Sequence, residues 1–166
     1  MRGRWSSVAA SAGRPHGLVA GGYRAIDALR LEKGYRAWAA DVTPEETPYE
    51  AGLGFAVRLD TGDFLGRDAL VAAKAAGPRK RLRCLVLDDP RAVCLGNEPV
   101  RLDGRIAGRV TSGGYGFSVG RSIAYAYLPP DVAIGARGDV EVLAAWTGFR
   151  VAREPLFDPA GARIRA

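Results

Sequence analysis

The stretch EPVRLDGRIAGRVTSGGYGFSVGRSIAYAYL, residues 98–128, decides the fold of this chain. Runs in which apolar and polar residues alternate are separated by Asp-Gly and Gly-rich turns, which is the pattern of short antiparallel strands. Within it, LDGR at residues 102–105 carries the Asp-Gly pair of a two-residue hairpin. A similar run precedes it at residues 81–89, and two more follow at residues 138–146 and 149–158. About seven strands at this spacing predict an antiparallel barrel or sandwich from residue 78 onward.

The first 77 residues have a different pattern. GYRAIDALRLEK, residues 22–33, places apolar residues at helical spacing, and Gly34 is expected to end that helix as its C′ residue. In residues 53–60, LGFAVRLD, apolar and polar residues alternate, and this pattern predicts a strand. One strand cannot make a sheet, so its partners are expected in the β part or upstream. Residues 4–12 and 61–77 predict two further helices, the latter with Phe64, Leu65, Leu70 and Val71 as its apolar side, and residues 41–52 predict a loop.

The predicted fold class is therefore α+β. Residues 1–77 are expected to form a partial α+β domain and residues 78–166 an antiparallel β domain. The chain has 166 residues, of which 48% are apolar, so it is long enough for one sizeable domain or two small ones.

Composition excludes several classes of function. The net charge is +6, but the positive charge is spread along the chain, and the longest basic cluster, RKRLR at residues 79–83, is too short for a nucleic-acid tail. No run approaches the roughly 18 apolar residues that span a bilayer. Two cysteines and the single His16 match no zinc or disulfide framework. We therefore expect no nucleic-acid partner, no membrane and a cytoplasmic protein.

The glycine-rich stretch SGGYGFSVG, residues 112–120, is not a dinucleotide-binding fingerprint. It lacks the third glycine at the required spacing, and a strand follows it where that fingerprint needs a helix. The chain thus has no flavin fingerprint of its own. Four hydroxyl side chains in or next to this stretch either line a site or belong to a hairpin turn, and a structural role in a turn is the commoner outcome. They are those of Thr111, Ser112, Tyr115 and Ser118.

Glu32, in LRLEKGYRAW at residues 29–38, is the most informative candidate. It lies in the last turn of a predicted helix, where the negative end of the helix dipole disfavours a carboxylate. Either it is solvated beside Lys33, or it faces a flat group with two hydrogen-bond donors, since a carboxylate accepts two such donors at once. Nearby aromatic residues, Tyr23, Tyr35 and Trp38, either stack on such a ring or pack in the core.

Three stretches together resemble the glycine-cleavage T-protein (aminomethyltransferase) family. They are residues 21–70, GGYRAIDALRLEKGYRAWAADVTPEETPYEAGLGFAVRLDTGDFLGRDAL; residues 108–128, GRVTSGGYGFSVGRSIAYAYL; and residues 140–165, VEVLAAWTGFRVAREPLFDPAGARIR. The resemblance is closest to the folate-binding portion of dimethylglycine and sarcosine dehydrogenases. It covers nearly the whole chain.

The resemblance implies a tetrahydrofolate site. Residues 1–77 would be a remnant of the folate-binding α+β domain and residues 78–166 the C-terminal barrel. Glu32, in the family's RLE motif, would bind the 2-amino and N3–H edge of the pterin. Arg81 would contact the benzoyl-glutamate part of the folate, and Tyr23 and Trp38 would be walls of the pterin pocket.

The resemblance also implies what this chain lacks. The family's catalytic aspartate lies upstream of the RLE motif, so no catalytic residue is assigned here and enzymatic activity stays open. The chain is expected to be a fragment, a truncated gene product or one subunit of a split enzyme, with an upstream flavin or folate domain as partner. In the parent protein a one-carbon unit would pass from an aminomethyl or iminium donor to tetrahydrofolate.

Two alternatives are kept. One is a fragment of a stand-alone glycine-cleavage T-protein. The other is a non-catalytic folate-binding or scaffolding module of the same family. The scaffolding proteins carry a short KGCY-like signature, whereas Cys84 and Cys94 lie in RCLVL and AVCLG.

Overall fold

A computed structural model describes residues 3–163 and 165 of the chain. Six strands of this part form a closed antiparallel barrel in the order β1-β4-β3-β2-β5-β6. The strands are β1 Arg81–Leu87, β2 Pro99–Leu102, β3 Arg105–Gly116, β4 Arg121–Leu128, β5 Arg137–Val142 and β6 Ala145–Ala152. Three α-helices precede them: α1 Gly3–Gly13, α2 Tyr23–Lys33 and α3 Arg67–Ala76. The prediction of an α+β chain that ends in an antiparallel barrel is confirmed.

The barrel interior is filled by side chains that alternate along each strand. In β1, for example, Leu85 and Leu87 point inward, and they pack with Phe149 from β6. The predicted hairpin at residues 102–105 joins β2 to β3. Asp103 and Gly104 both adopt positive φ, 48° and 76°, which is the backbone that an Asp-Gly pair favours in a two-residue hairpin.

A second apolar cluster lies on the outside of the barrel, where α2 packs against β3 and β4, and it also includes side chains of β1. Leu82 and Cys84 have the opposite parity to the inward residues of β1, so they point away from the barrel interior and into this cluster. Leu31, from the last turn of α2, is buried in the same cluster. The remaining members of this cluster are Ile123, Tyr125 and Tyr127. This contact fixes where the C-terminal end of α2 sits on the barrel.

Residues 53–60 are not a strand, and that prediction is wrong. Their backbone groups are used locally: Leu53 N–H donates to the Pro48 carbonyl, and a 3₁₀ turn at Gly54–Ala56 follows. Alternation of apolar and polar residues predicts a strand only where a neighbouring strand is within reach. Phe55 is accordingly exposed.

The helix predicted at residues 61–77 is shorter and less buried than its pattern indicates. α3 begins at Arg67, so Phe64 and Leu65 precede it, and none of its residues is buried. None of the described helices has the length and apolar character needed to cross a bilayer.

Candidate functional site

Glu32 is buried at the junction between α2 and the barrel. Its side chain is 1% exposed, and its Oε1 accepts hydrogen bonds from the backbone N–H groups of Ser118, at 2.6 Å, and Val119, at 3.4 Å. Both amides belong to the turn between β3 and β4. They stabilise a negative charge that the end of α2 alone disfavours. Among the described residues, the other carboxylate oxygen, Oε2, is buried and has no hydrogen-bond partner.

Gly116, the last residue of β3, lies close to the side chains of Ile123, Val119 and Glu32. A Cβ placed on Gly116 would lie 2.7 Å from Ile123 Cδ1, 2.8 Å from Val119 Cγ2 and 3.0 Å from Glu32 Cγ. A larger residue at this position would therefore push the Ile123 and Val119 side chains aside and press on Glu32.

The C-terminal end of α2 is held by the segment that follows the barrel. The backbone N–H groups of Leu156 and Phe157 donate to the Glu32 carbonyl at 3.1 and 3.0 Å. Lys33 Nζ donates to the Asp158 carbonyl at 2.7 Å and to its carboxylate at 2.9 Å. These bonds satisfy a helix-end carbonyl that would otherwise be unpaired. They also fix the backbone from which the Glu32 side chain projects.

The barrel also contacts this end of α2, since the Tyr125 hydroxyl donates a hydrogen bond to the Leu31 carbonyl at 3.2 Å. Burial raises the pKa of this phenol above its ordinary value of 10.0, so the hydroxyl stays a donor. The Arg36 guanidinium lies 5.3 Å above the Tyr125 ring and pairs with Glu154 at 2.5 Å. Burial lowers the Arg36 pKa, but the hydrogen bond and the charge of Glu154 outweigh it, so the pKa is raised.

A second buried carboxylate, Asp41, connects α2 to β3. Its Oδ2 accepts from Arg30 Nη1 at 2.5 Å and from the Ala37 N–H at 2.9 Å. Its Oδ1 accepts from the hydroxyls of Thr111 and Ser112 at 2.5 and 2.6 Å. Since Arg30 precedes Glu32 by two residues on the same helix, this network sets the rotation of α2 on the barrel and therefore the direction of Glu32.

Of the four residues predicted for the site, the structure buries only Glu32 at this junction. Tyr23 is 83% exposed and lies nine residues earlier on α2, about 13 Å along the axis and half a turn around it. Trp38 is 72% exposed. Arg81 is exposed at the start of β1, where it pairs with Leu128 of β4. Leu128 lies about 17 Å along β4 from Ile123, the β4 residue that lies beside Gly116 together with Glu32. The structure thus does not bring these three against Glu32, and their roles stay predictions.

Of the four hydroxyls noted in the sequence, those of Thr111 and Ser112 donate hydrogen bonds to Asp41. Thr111 and Ser112 lie where the pairing of β3 with β4 shifts register, which lets adjacent side chains reach the same carboxylate. Asp41 and the amides of residues 118 and 119 were missed by the sequence reasoning. Backbone donors have no sequence signature, and Asp41 lies about 70 residues from its hydroxyl partners.

A cleft of about 610 Å³ lies elsewhere, between the loop at residues 39–46 and strands β3 and β4. Lys80 lines it, pairs with Glu46 at 2.8 Å and lies 4.5 Å above the Tyr127 ring. The charge of Lys80 is therefore matched within the protein. Glu32 is not among the residues that line this cleft.

Comparison with known proteins agrees with this arrangement. Residues 3–61 match the family described as the GCVT N-terminal domain, and residues 80–158 match the glycine cleavage T-protein C-terminal barrel domain. The chain belongs to the glycine-cleavage T-protein family. The resemblance drawn from the sequence is confirmed, and the junction that holds Glu32 is formed between the two matched segments.

Members of this family from several organisms are similar to the chain. It is 39% identical over 155 residues to a 4-methylaminobutanoate oxidase (formaldehyde-forming) of Paenarthrobacter nicotinovorans, covering 93% of this chain and 19% of that protein. Mitochondrial sarcosine dehydrogenase of Homo sapiens is 38% identical over 164 residues, which is 93% of this chain and 18% of that one. An aminomethyltransferase of Symbiobacterium thermophilum is 36% identical over 148 residues, which is 88% and 39% respectively.

A solved glycine-cleavage T-protein has the same fold. The crystal structure of the glycine cleavage system aminomethyltransferase T from Bartonella henselae superposes with a TM-score of 0.74 at 28% identity, over 80% of this chain and 38% of that one. The chain therefore spans less than two fifths of the length of the relatives it matches.

Proposed function

We propose that this chain contributes the pterin-binding part of a tetrahydrofolate site in an aminomethyltransferase-like reaction of one-carbon metabolism. The observation that carries the proposal is the buried Glu32 carboxylate, half bonded to the barrel and half without a partner among the described residues. Its family supports the general kind of reaction, since aminomethyltransferases are among the relatives.

The chemistry of the Glu32 carboxylate supports a pterin ring as its ligand. An unsatisfied buried acceptor costs about 1–3 kcal/mol, so the fold keeps the Oε2 of Glu32 unpaired at a cost in stability. The 2-amino and N3–H groups of a pterin lie side by side, and a carboxylate accepts such a pair in bidentate fashion. Ser118 and Val119 donate to Oε1, so Oε2 is the acceptor that is free for the first ligand donor, and Oε1 accepts the second once these amides move away.

Access to Glu32 requires a local shift. The side chain is 1% exposed, so a ring reaches Oε2 only when a covering group moves. We infer that the turn at residues 117–120 moves, because it carries both amides that cover the carboxylate and because Phe117 at its start is 78% exposed. Gly116 precedes this turn and Gly120 is its last residue, with a positive φ of 64°.

When bound, tetrahydrofolate supplies the amine nitrogen that accepts the one-carbon unit from an aminomethyl or iminium donor. The residues of this chain bind and orient. Glu32 fixes the ring, the Asp41 network fixes the helix that carries Glu32, and Arg81 is proposed for the benzoyl-glutamate part at the far end. Correct placement of reacting groups is the main contribution expected of such a site. Tyr23 and Trp38 stay predictions on which the proposal does not depend.

The test is calorimetric titration of the chain with a reduced folate. We expect Glu32→Ala to weaken binding at least ten-fold, since each charge-assisted hydrogen bond contributes about 1.5–3 kcal/mol. The matched control is Glu50→Gln. Glu50 is also buried, but its carboxylate is bonded to Thr47, so this variant should bind folate like the parent. Equal binding by the parent and by Glu32→Ala would remove Glu32 from the site.

A further inference from the structure

Glu32 is held at two separate points by two different segments of the chain. Its side chain is bonded by two amides of the turn at residues 117–120. Its main-chain carbonyl is bonded by residues 154–158, here called the strap, through the amides of Leu156 and Phe157 at 3.1 and 3.0 Å. The two segments differ in how firmly they are attached to the rest of the protein.

The strap is tied to the end of α2 by an ion pair. Lys33, the last residue of α2, places its Nζ 2.9 Å from the Asp158 carboxylate, and the two side chains are only 16% and 10% exposed. The same Nζ donates to the Asp158 carbonyl at 2.7 Å. Asp158 adopts a positive φ of 47°, which aspartate tolerates better than most residues. Leu156 packs against the apolar cluster that contains Leu31, so the strap is fixed by apolar as well as charged contacts.

The turn at residues 117–120 is attached less firmly than the strap. Phe117, Ser118 and Gly120 are exposed, and only Val119 is partly buried. Segments with few buried contacts open at a lower free energy than the packed parts of a fold. The turn can therefore release the Glu32 side chain while the strap keeps its bonds to the Glu32 carbonyl.

We propose that Lys33 and Asp158 are positioning residues for the pterin ring. Their ion pair keeps the strap on the Glu32 carbonyl, so Glu32 keeps its direction when the turn moves away and the ring takes its place. An acceptor held in its bound direction before the ligand arrives loses less conformational freedom on binding, which raises the affinity. This inference rests on the proposed function, since it concerns how Glu32 is held while it binds folate.

The test combines calorimetric titration with a reduced folate and amide hydrogen exchange measured by NMR, both on the full chain. Lys33→Met and Asp158→Asn each remove one charge of the pair, and asparagine still tolerates the positive φ at residue 158. We expect each variant to bind folate about five-fold more weakly and to exchange the Leu156 and Phe157 amides faster. Lys33→Arg keeps a donor for Asp158 and should give the values of the parent.

The exchange of the parent protein with and without folate gives a readout that a purely stabilising ion pair would not change. Folate should speed exchange of the Ser118 and Val119 amides, because they leave the Glu32 carboxylate. It should not speed exchange of the Leu156 and Phe157 amides, because the strap stays in place.

Asp139→Asn is the matched control, because Asp139 pairs with Arg101 at the same distance of 2.9 Å, between β5 and β2. It should bind folate like the parent. The inference is overturned if Lys33→Met binds folate like the parent, if Asp139→Asn weakens binding equally, or if folate speeds exchange in the strap as much as in the turn. Any of these results, with binding still lost in Glu32→Ala, leaves the proposed function standing. Equal binding by the parent and by Glu32→Ala instead removes the proposed function, and this inference with it.

Discussion

Arg30 and Asp41 form the charged link between α2 and the barrel, with Arg30 Nη1 lying 2.5 Å from Asp41 Oδ2. The Asp41 side chain is 1% exposed and the Arg30 side chain 15%. The same guanidinium lies 3.7 Å from Asp27, whose side chain is 58% exposed. One arginine thus faces a buried and an exposed carboxylate, and the two contacts should differ greatly in their effect on stability.

We expect Asp41→Ala to lower the free energy of unfolding by about 3 kcal/mol. Removal of one partner from a buried ion pair leaves the other charge uncompensated, and the Thr111 and Ser112 hydroxyls lose their acceptor as well. Asp27→Ala is the control and should cost less than about 1 kcal/mol, since exposed ion pairs contribute little. Urea unfolding of the three proteins measures both values. Similar losses for the two variants would show that Asp41 does not anchor α2.

Gly116→Ala tests how tightly the barrel fits around Glu32. The added methyl would meet Ile123 and Val119 and press on the Glu32 side chain. We expect a loss of about 1–3 kcal/mol in stability from overpacking, together with a reduced affinity for folate as the carboxylate is displaced. Gly21→Ala, where an added methyl has nothing within 4 Å, should change neither quantity. Folate affinity equal to that of the parent in Gly116→Ala would place the ligand elsewhere.

Both cysteines should be unreactive in the folded protein. Cys84 and Cys94 are buried free thiols, and burial raises the pKa of each from 9.0 to about 12. A rise of three units lowers the thiolate fraction at neutral pH about a thousand-fold, and the thiolate is the reactive form. Labelling with a disulfide reagent at pH 8 should therefore be at least about a hundred-fold slower in the folded than in the unfolded chain. Rapid labelling of either thiol in the native protein would contradict its burial.

Acid should destabilise the chain through Glu46 and Glu50. Burial raises the pKa of each carboxyl, but hydrogen bonds outweigh it, from Lys80 and Thr43 at Glu46 and from Thr47 at Glu50. Both pKa values therefore lie below the ordinary value of 4.5. A lowered folded-state pKa gives stability that is present above pH 4.5 and is lost as pH falls through the folded value.

Urea midpoints measured from pH 7 down to pH 3 check this expectation. The parent should lose stability below about pH 4.5, and the double variant Glu46→Gln/Glu50→Gln should lose less over the same range. Glu45→Gln, at an exposed neighbouring position, should follow the parent curve. Parallel curves for the parent and the double variant would assign the acid sensitivity to other groups.

Local patterns predicted the parts of the fold that depend on local chemistry. Gly34 ends α2 with φ 75°, and Asp103-Gly104 forms the predicted turn, because both positions need a backbone that few residues adopt. The alternation of apolar and polar residues at 53–60 wrongly predicted a strand, since a strand also needs a neighbouring strand with which to pair. Glu32 was identified because its charge conflicts with its place on the helix. The backbone amides of residues 118 and 119 were not predicted as its partners, because only the tertiary fold brings them to the Glu32 carboxylate.

Closure of the barrel has a consequence for how this chain associates with others. Each of the six strands is paired on both sides, from β1 through to β6 and back. None of these six strands is an edge strand, so the barrel lacks the open edge that serves as a template for strand addition or for fibril growth. Whatever assembles with this part of the molecule must recognise side chains, and changes on the outer surface can alter partner choice while the hydrogen-bonded ring stays intact.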